Sequence, residues 1–295
     1  MHHPRIIADG EELRRQVRAW QAAGETVGLV PTMGALHAGH LSLAARSVRE
    51  CRRTVVTIFV NPKQFGPAED FQRYPRDLIR DVELLAGLAA SQQAREPDLV
   101  FAPAAEAIYP ADFATHVEVG RVTQLWEGAS RAGHFRGVAT VVLKLFQLAP
   151  ADIAYFGQKD YQQTVVIRRM VADLNLPIEI RVSPIVREPD GLAMSSRNAF
   201  LGPDDRRRAL ALSASLRQAV EMVRGGQRDA RRISAAMRQT IGAVESVTLD
   251  YAAVVDPETL EELDRLDGRA VALVAAKVGA VRLIDNEILN PPAGV

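Results

Sequence analysis

The sequence of 295 residues contains one cysteine, and it lacks an apolar run long enough to cross a membrane. The single cysteine, Cys51, cannot form an internal disulfide bond, which is typical of proteins from a reducing compartment. A membrane-spanning helix needs roughly 18 or more apolar residues in succession. The first residues, MHHPRIIADGEELRRQ, lack the apolar core of a signal peptide. We therefore expect a cytoplasmic protein that has no membrane partner.

The chain also lacks an excess of charge of either sign. Its 36 Lys and Arg residues balance 36 Asp and Glu residues. Proteins that bind nucleic acids or anionic membranes usually carry a basic excess, so we expect no nucleic-acid partner. Hydrophobic residues make up 47% of the chain, which is enough for a sizeable core and for more than one domain.

Strand-like and helix-like segments alternate along the first part of the chain. Short apolar runs that predict buried strands occupy residues 26–30, 54–60, 98–103, 151–157 and 178–186. Segments with helical periodicity occupy residues 76–90, 137–149 and 160–175. This alternation predicts an α/β domain over residues 1–186, in which a Rossmann-like, doubly wound parallel sheet is covered by helices.

The pattern changes after residue 186. A polar loop rich in turn residues covers residues 186–205. Two helical segments and three strand-like segments follow, at residues 204–226, 230–244, 247–256, 270–279 and 280–289. The last two strands adjoin at Lys277-Val278-Gly279, which favours an antiparallel hairpin. We therefore predict a second, smaller α+β domain over residues 187–295.

The stretch PTMGALHAGHL contains two histidines, His37 and His40, in a glycine-containing turn that precedes a helical pattern. Glycine permits close approach to a phosphate, and a helix N-terminus offers free N–H groups. Imidazoles at this place can donate hydrogen bonds to a phosphate and stabilise developing charge. Two ordinary turn histidines are the simpler alternative. A zinc site is disfavoured because no third ligand stands at a plausible spacing, so we assign no metal ligands.

Two further polar segments, NPKQFG and FGQKD, directly follow predicted strands. Ligands of doubly wound sheets bind beyond the carboxyl ends of the strands, so these segments and the histidine turn are expected to line one crevice. Lys159 in FGQKD offers a point charge for a phosphate, although a surface lysine fits the pattern as well. Its neighbour Asp160 suits either a nucleotide ribose or the cap of the following helix. The amides of Gln64 and Gln163 can donate to a carboxylate and accept from a hydroxyl without adding charge, although a solvated surface amide is the usual interpretation of a glutamine.

The segment MSSR, residues 194–197, offers two hydroxyl groups and a guanidinium near the predicted domain boundary. These groups suit a polyphosphate, and a loop at this place can close over it. A serine-rich turn is the alternative. Arg131 and His134, in RAGHFRGV, either contact a ligand or only close the site, and the sequence leaves both interpretations open. Cys51 has no histidine nearby in the sequence, and we interpret it as structural.

Five of these blocks, taken together, resemble a known family. HAGH is similar to the His-x-Gly-His signature of the nucleotidyltransferase superfamily. PTMGALHAGHL, IFVNPKQFG, RAGHFRGV, FGQKDYQQ and REPDGLAMSSRN resemble the pantothenate synthetase family in the family's own order. Ala38 departs from the glutamate that the family often has. The resemblance is strong from about residue 27 to residue 198 and diffuse beyond.

The resemblance implies an AMP-forming acid–amine ligase. Members of the family join (R)-pantoate to β-alanine, using ATP as a substrate and Mg²⁺ held mainly through the ATP phosphates. The pantoate carboxylate attacks the α-phosphate to give a pantoyl adenylate and pyrophosphate, and the β-alanine amine then displaces AMP. The family also implies a homodimer.

The family's functional positions carry over residue by residue. The implied catalytic residues are His40, His37 and Lys159, and the implied pantoate-binding residues are Gln64 and Gln163, of which Gln64 also binds β-alanine. The implied ATP-binding residues are Met33, Gly34, Ala35, Leu36, His37, Ala38, Gly39, His40, Gly157, Gln158, Lys159, Asp160, Val186, Met194, Ser195, Ser196 and Arg197. Asn61 and Gln162 are weaker candidates.

Two other functions remain open at this point. Another adenylate-forming nucleotidyltransferase of the same superfamily would release pyrophosphate with a different acid. A nucleotide-binding sensor without activity is disfavoured because the histidines, Lys159 and the MSSR segment are all present.

Overall fold

The structure is a computed structural model that describes residues 3–66, 71–92 and 94–291. The chain forms two compact units. The first comprises Met1–Gly157 and Val166–Pro184, and the second comprises Gln158–Val165 and Ile185–Val295. The sequence predicts a single division between residues 186 and 187, whereas the structure also groups the short segment Gln158–Val165 with the second unit.

The first unit contains a six-stranded sheet in which every strand is parallel to its neighbours. Its strands are β1 (Arg5–Ile7), β2 (Val27–Thr32), β3 (Arg53–Ile58), β4 (Leu99–Phe101), β5 (Ile153–Gly157) and β6 (Glu179–Ser183). The order is β1-β4-β3-β2-β5-β6. The direction in which successive strands are added therefore reverses between β2 and β5, which confirms the predicted doubly wound sheet.

Helices connect these strands. They are α1 (Gly10–Ala22), α2 (Ala38–Glu50), α3 (Leu78–Ala86), α4 (Leu88–Gln92), α5 (Ala105–Ile108), α6 (Glu127–Ser130), α7 (His134–Leu148) and α8 (Tyr161–Asp173). The prediction of one helix over residues 76–90 was wrong, because α3 ends at Ala86 and α4 begins at Leu88, with Gly87 between them. Glycine is a poor helix former, and the N–H of Gly87 still donates to the carbonyl of Glu83 across 2.9 Å.

Two features of the sheet differ from the sequence expectation. β1 was not predicted, because its three residues are too few to show a pattern. β2 continues through Pro31, where we expected it to end. Pro31 lies beyond Leu29, the last β2 residue that pairs with β5, so its missing N–H disrupts the sheet less than it would in a fully paired strand.

The core of the first unit packs α2 against the sheet. A Cβ at Gly28 of β2 would lie 2.2 Å from Ser47 Oγ of α2, so only glycine permits this approach. Cys51 is buried at the end of α2, and its Sγ lies 3.3 Å from the hydroxyl oxygen of Tyr155. Burial raises the pKa of the Cys51 thiol, which keeps it protonated and agrees with a structural role.

The second unit contains a three-stranded antiparallel sheet of β7 (Val247–Val255), β8 (Ala270–Val278) and β9 (Val281–Leu289), in that order. The pairing of Val278 with Val281 confirms the predicted hairpin. Helices α9 (Pro203–Arg224) and α10 (Ala230–Gly242) pack on this sheet around a buried apolar core. This unit is the small α+β domain that the sequence predicts. In the described parts of the chain, no helix has the length and apolar character needed to cross a membrane.

The carboxylate of Glu50, at the end of α2, links this helix to β5 and β6. Arg46 Nε and Arg181 Nη1 donate to it across 2.8 and 2.6 Å, and the Tyr155 hydroxyl donates across 3.0 Å. Burial works against ionisation, but these hydrogen bonds outweigh it and lower the pKa of Glu50 from 4.5 to about 2. Ionised Glu50 therefore stabilises the folded state above pH 4.5, and this contribution is lost as the pH falls toward 2.

We expect Glu50→Gln to lower the free energy of unfolding by about 1–3 kcal/mol at neutral pH, with a difference that shrinks between about pH 5 and pH 3. Urea unfolding, followed by circular dichroism over this pH range, measures the difference in the free energy of unfolding. The control is Glu221→Gln, which removes an exposed ion pair with Arg224 and should change stability by less than about 0.5 kcal/mol. A Glu50→Gln difference that does not vary with pH would contradict the assignment.

Candidate active site

The loop after β2 carries the first predicted ATP-binding residues. Gly34 has φ +80° and Ala35 has φ +50°, so the backbone turns through the left-handed region. A Cβ at Gly34 would also lie 2.9 Å from Asp81 Oδ2, so the position requires glycine for two reasons. The N–H of Gly34 donates to Thr32 Oγ1 across 3.1 Å. The end of β2 thus fixes the start of the loop.

A buried carboxylate holds the middle of this loop. Asp81 of α3 is 1% exposed, and it accepts hydrogen bonds from the N–H of Leu36 at 2.7 Å and the N–H of Ala35 at 3.0 Å. Burial raises the pKa of Asp81, while these two hydrogen bonds act in the opposite direction. A single side chain therefore orients two successive peptide units, and it determines the path of the chain toward α2.

The two histidines lie where this loop becomes α2. His37 is the N-cap of the helix, and its Nδ1 accepts a hydrogen bond from the N–H of Gly39 across 3.2 Å. Because Nδ1 accepts, the neutral ring of His37 carries its proton on Nε2. The rings of His37 and His40 have centroids 4.1 Å apart and are inclined by 30°. Two imidazoles thus adjoin the positive end of the α2 dipole.

The turn after β3 holds Gln64. It is a single 3₁₀ turn, Pro62–Gln64, capped by Asn61. Asn61 is 1% exposed, its Nδ2 donates to Gln64 Oε1 across 2.9 Å, and its Oδ1 accepts from the Tyr109 hydroxyl across 2.8 Å. Gln64 Nε2 in turn contacts Met33 Sδ at 3.1 Å. A thioether is a weak acceptor, so a carboxylate or hydroxyl oxygen of a ligand can replace it favourably.

The RAGHFRGV block supports the same turn. His134 lies 2.8 Å through Nδ1 from the carbonyl oxygen of Gln64, and 3.0 Å through Nε2 from Arg131 Nη1. Because the guanidinium can only donate, His134 accepts at Nε2 and donates its Nδ1–H to Gln64. Arg131 Nη2 reaches the same carbonyl at 3.4 Å. Both residues therefore contact the backbone that carries Gln64.

Helix α7 approaches the Gln64 turn as closely as a backbone can. A Cβ at Gly137 would lie 2.1 Å from the carbonyl oxygen of Lys63 and 2.7 Å from the nitrogen of Gln64. The carbonyl of Gly137 accepts from Asn61 Nδ2 across 3.1 Å. Glycine in a helix interior costs about 1 kcal/mol of stability relative to alanine. The close approach of α7 to the Gln64 turn explains why glycine stands at this position.

In the second unit, Lys159 lies in a 3₁₀ turn, Gln158–Asp160, that runs directly into α8. Its side chain is 20% exposed, and Nζ lies 3.3 Å from Asp160 Oδ1. Gln163 lies one turn further along α8 and is partly exposed. The start of α8 therefore presents a cation and an amide on consecutive turns.

The MSSR segment follows a short β-hairpin. The N–H of Met194 donates to the carbonyl of Val186 across 3.0 Å, and Arg187 pairs with Ala193 in an antiparallel bridge. Gly191 closes the hairpin with φ +95°. Two ATP-binding positions predicted from opposite ends of this loop, Val186 and Met194, are thus hydrogen-bonded neighbours.

Ser195 caps the 3₁₀ turn Ser196–Phe200, and its Oγ accepts from the N–H of Arg197 across 3.3 Å. Asn198 is 9% exposed, and its Nδ2 donates to Glu188 Oε1 at 2.6 Å and to the carbonyl of Ala193 at 3.0 Å. Asn198 therefore attaches the turn with Ser195, Ser196 and Arg197 to the hairpin. A serine-capped turn, the alternative that the sequence left open beside a phosphate loop, is present here, and it leaves Ser196 and Arg197 partly exposed.

Sequence reasoning missed three residues that shape these loops: Asp81, Tyr109 and Asn286. The available signals were weak. Asp81 stands four residues before the buried Leu85, so it shares the apolar stripe of α3. Asn286 follows another buried polar residue, Asp285, in β9, and its side chain contacts the Lys159 turn.

The donor set for Mg²⁺ is sparse. Within residues 3–66, 71–92 and 94–291, no three His, Cys, Asp or Glu side chains are grouped to hold a metal ion. Mg²⁺ commonly binds through substrate phosphates with few protein ligands, so this arrangement is compatible with an ion carried by a nucleotide.

A doubly wound parallel sheet in which the His37–His40 turn follows the central strand β2 has the features expected of the nucleotidyltransferase class that the HAGH motif resembles. Comparison with known proteins narrows this class. The family model for pantoate-beta-alanine ligase matches residues 5–288. A pantothenate synthetase of Roseiflexus castenholzii is 53% identical over 286 residues, which cover 97% of this chain and 99% of that relative.

Solved structures agree. The crystal structure of pantothenate synthetase from Thermus thermophilus has a TM-score of 0.88 at 47% identity, and the match covers 97% of this chain and 100% of that one. A pantoate-beta-alanine ligase from Francisella tularensis, complexed with beta-gamma ATP and beta-alanine, has a TM-score of 0.77 at 33% identity, covering 97% of both chains. The chain belongs to the pantoate–β-alanine ligase family, and it is an enzyme that forms pantothenate from pantoate and β-alanine.

We expect Gly137→Ala to displace the Gln64 turn. The added methyl group must push away backbone atoms, which cannot rotate aside as a flexible side chain can, so stability should fall by about 1–3 kcal/mol. The KM for pantoate should rise at least about tenfold, since a displacement of about 1 Å in a positioning group can cost this much. Thermal unfolding and steady-state kinetics measure the two effects.

The matched control for this variant is Gly242→Ala, at the end of α10. A Cβ there meets no atom within 4 Å, so stability and kinetics should stay the same or improve slightly. Identical behaviour of the two variants would show that the approach of α7 to the Gln64 turn does not matter.

Proposed function

We propose that this enzyme condenses (R)-pantoate with β-alanine through a pantoyl adenylate, releasing pyrophosphate and then AMP. The observation that carries the proposal is the pair of imidazoles at the start of α2, in a loop whose peptide groups are fixed by Asp81. Preorganised donors of this kind stabilise charge that develops on a phosphate in the transition state. The complex of the Francisella tularensis relative with a form of ATP and with beta-alanine supports the choice of substrates.

In the first step, an oxygen of the pantoate carboxylate attacks the α-phosphorus, and the bond to the pyrophosphate oxygen breaks. We assign His40 and His37 as donors to the phosphate oxygens, with the loop of residues 33–40 lying around the triphosphate at the start of α2. The N–H groups of Gly34, Ala35, Leu36 and Gly39 donate within the protein, so they shape this loop and are assigned no phosphate. Because Nδ1 of His37 is engaged by Gly39, Nε2 is the atom that donates. Lys159 adds a positive charge that opposes the charge on the phosphates.

In the second step, the β-alanine amine attacks the carbonyl carbon of the adenylate, and AMP leaves with one oxygen that came from pantoate. We assign Gln64 to both acids, since its Nε2 has only the weak acceptor Met33 Sδ in the described structure. Gln163 is assigned to pantoate. Asn61, Arg131 and His134 keep the Gln64 turn in place and are assigned no contact with substrate.

The remaining assignments rest on the family resemblance and on local geometry. ATP contacts are assigned to Gly157, Gln158, Asp160 and Val186, and to the segment Met194, Ser195, Ser196 and Arg197. Mg²⁺ is assigned to the phosphates of ATP, where it would neutralise charge. We also propose a cytoplasmic homodimer, a state that light scattering of the purified protein tests directly.

Oxygen labelling tests the adenylate route. When pantoate carries ¹⁸O in its carboxylate, one labelled oxygen should appear in the phosphate of AMP, because the carboxylate oxygen that attacks the phosphorus stays with AMP. Mass spectrometry of the products measures the label. ADP with phosphate as the products, or AMP without label, would reject the adenylate. Pyrophosphate release with another acid but not with pantoate would select a different substrate.

A second test concerns His40. We expect His40→Ala to lower the rate of adenylate formation by about 10²–10³-fold, the effect of losing one preorganised donor to developing charge. ATP binding should weaken much less, because His37, Lys159 and the positive end of the α2 dipole remain. With preformed pantoyl adenylate, the variant should make pantothenate at nearly the normal rate. Rapid-quench measurements separate the two half-reactions.

The matched control is His116→Ala, which removes an exposed imidazole that packs edge-on against Phe113. It should leave both half-reactions unchanged. Normal adenylation by His40→Ala would identify His40 as an ordinary turn histidine.

A further inference from the structure

The turn that carries Lys159 is held by a side chain from the last strand of the second unit. Asn286 of β9 is 1% exposed. Its Nδ2 donates to the carbonyl oxygen of Lys159 across 2.8 Å and to that of Gln158 across 3.0 Å. Its Oδ1 accepts from Gln158 Nε2 across 3.2 Å. The amide thus uses both of its donors and its acceptor on two consecutive residues.

A neighbouring pair fixes Asn286 in turn. The N–H of Asn286 donates to Asp285 Oδ1 across 2.8 Å, and Asp285 is 3% exposed. Arg187 donates to both oxygens of Asp285, across 2.7 Å to Oδ2 and 3.2 Å to Oδ1. A bidentate pair of this kind defines orientation as well as distance. β9 is itself held by its pairing with β8, in which Asn286 lies opposite Leu273.

Consecutive residues of β9 therefore contact two separate segments of this unit. Asn286 holds the turn of Lys159, and Asp285 holds Arg187, which directly follows Val186 in the hairpin before the MSSR segment. A lysine side chain has many rotamers and follows its backbone. A turn that is free to shift by about 1 Å would carry the cation away from the position that the reaction needs.

We propose that Asn286 is a positioning residue for adenylate formation, acting through the backbone of Lys159. The inference rests on the proposed contact of Lys159 with the phosphates of ATP. It gives a residue of the small α+β unit a part in the chemistry without any contact with a substrate.

The test uses Asn286→Ala, Asn286→Asp, Lys159→Ala and the double variant Asn286→Ala/Lys159→Ala in the full-length enzyme. Asn286→Ala should lower the rate of adenylate formation about 10- to 100-fold, with the KM for pantoate within about twofold of normal. When Lys159→Ala is already present, adding Asn286→Ala should lower the rate of adenylate formation by less than about a further twofold, because the lysine that Asn286 positions is already absent.

Two variants separate positioning from stability. Asn286→Asp has nearly the same shape and keeps an acceptor, but it lacks the two amide donors, so it should lose adenylation as Asn286→Ala does. Ser234→Ala removes a buried hydrogen bond to the N–H of Val254 in the same unit, and it should reduce stability while leaving both kinetic constants unchanged. Circular dichroism checks that each variant is folded at the assay temperature.

The outcomes distinguish this inference from the function that it rests on. Full activity of Lys159→Ala would reject the role of Lys159 and the inference with it. Impaired Lys159→Ala together with fully active Asn286→Asp would reject the inference alone. A double variant whose rate of adenylate formation falls by the product of the two single-variant factors would also reject the inference alone, because independent effects multiply.

Discussion

The two hydrogen bonds from a loop backbone to Asp81 are the interaction on which the first half of the site depends. A peptide chain that leaves a central strand can follow many paths. Gly34 adopts the left-handed region freely, whereas Ala35 is strained there and keeps this conformation only because the surrounding structure holds it. Asp81 supplies that restraint from 45 residues away, inside the protein and shielded from competing water. The loop therefore has a fixed shape of its own, and a ligand that bound to it would not have to organise it.

Side-chain amides and an imidazole likewise hold the turns of Gln64 and Lys159 in place. Asn61 and His134 fix the side chain and the backbone of Gln64, and Asn286 fixes the backbone of the Lys159 turn. The amides carry no charge, so they set the orientation of both turns through hydrogen bonds alone.

Much of this organisation can be predicted from the sequence. Periodicity indicates the parallel sheet, the antiparallel hairpin and most helices, because long apolar patterns reflect which faces are buried. The HAGH turn stands out because glycine and histidine at a strand end have few structural explanations. The break at Gly87 and the short strand β1 were missed, since few residues decide each of them.

The supporting residues are harder to predict. Asp81 and Asn286 act on backbone atoms that are 45 and 127 residues away along the chain, and no local pattern encodes such pairs. The roles of Arg131 and His134 were left open for the same reason. Only the fold shows that both point at a carbonyl oxygen of the Gln64 turn.

The contact between Asn286 and Lys159 has a consequence for the order in which the protein is made. β9 is the final strand of the second unit, so the turn at Lys159 emerges from the ribosome long before its anchor does. A growing chain can pair β2, β3 and β5 and still leave this turn unrestrained. A contact between residues so far apart in the chain forms late in folding, because closing the intervening loop costs entropy. The sheet that forms around the contact must offset this cost. The final conformation of the Lys159 turn is thereby tied to completion of the smaller sheet.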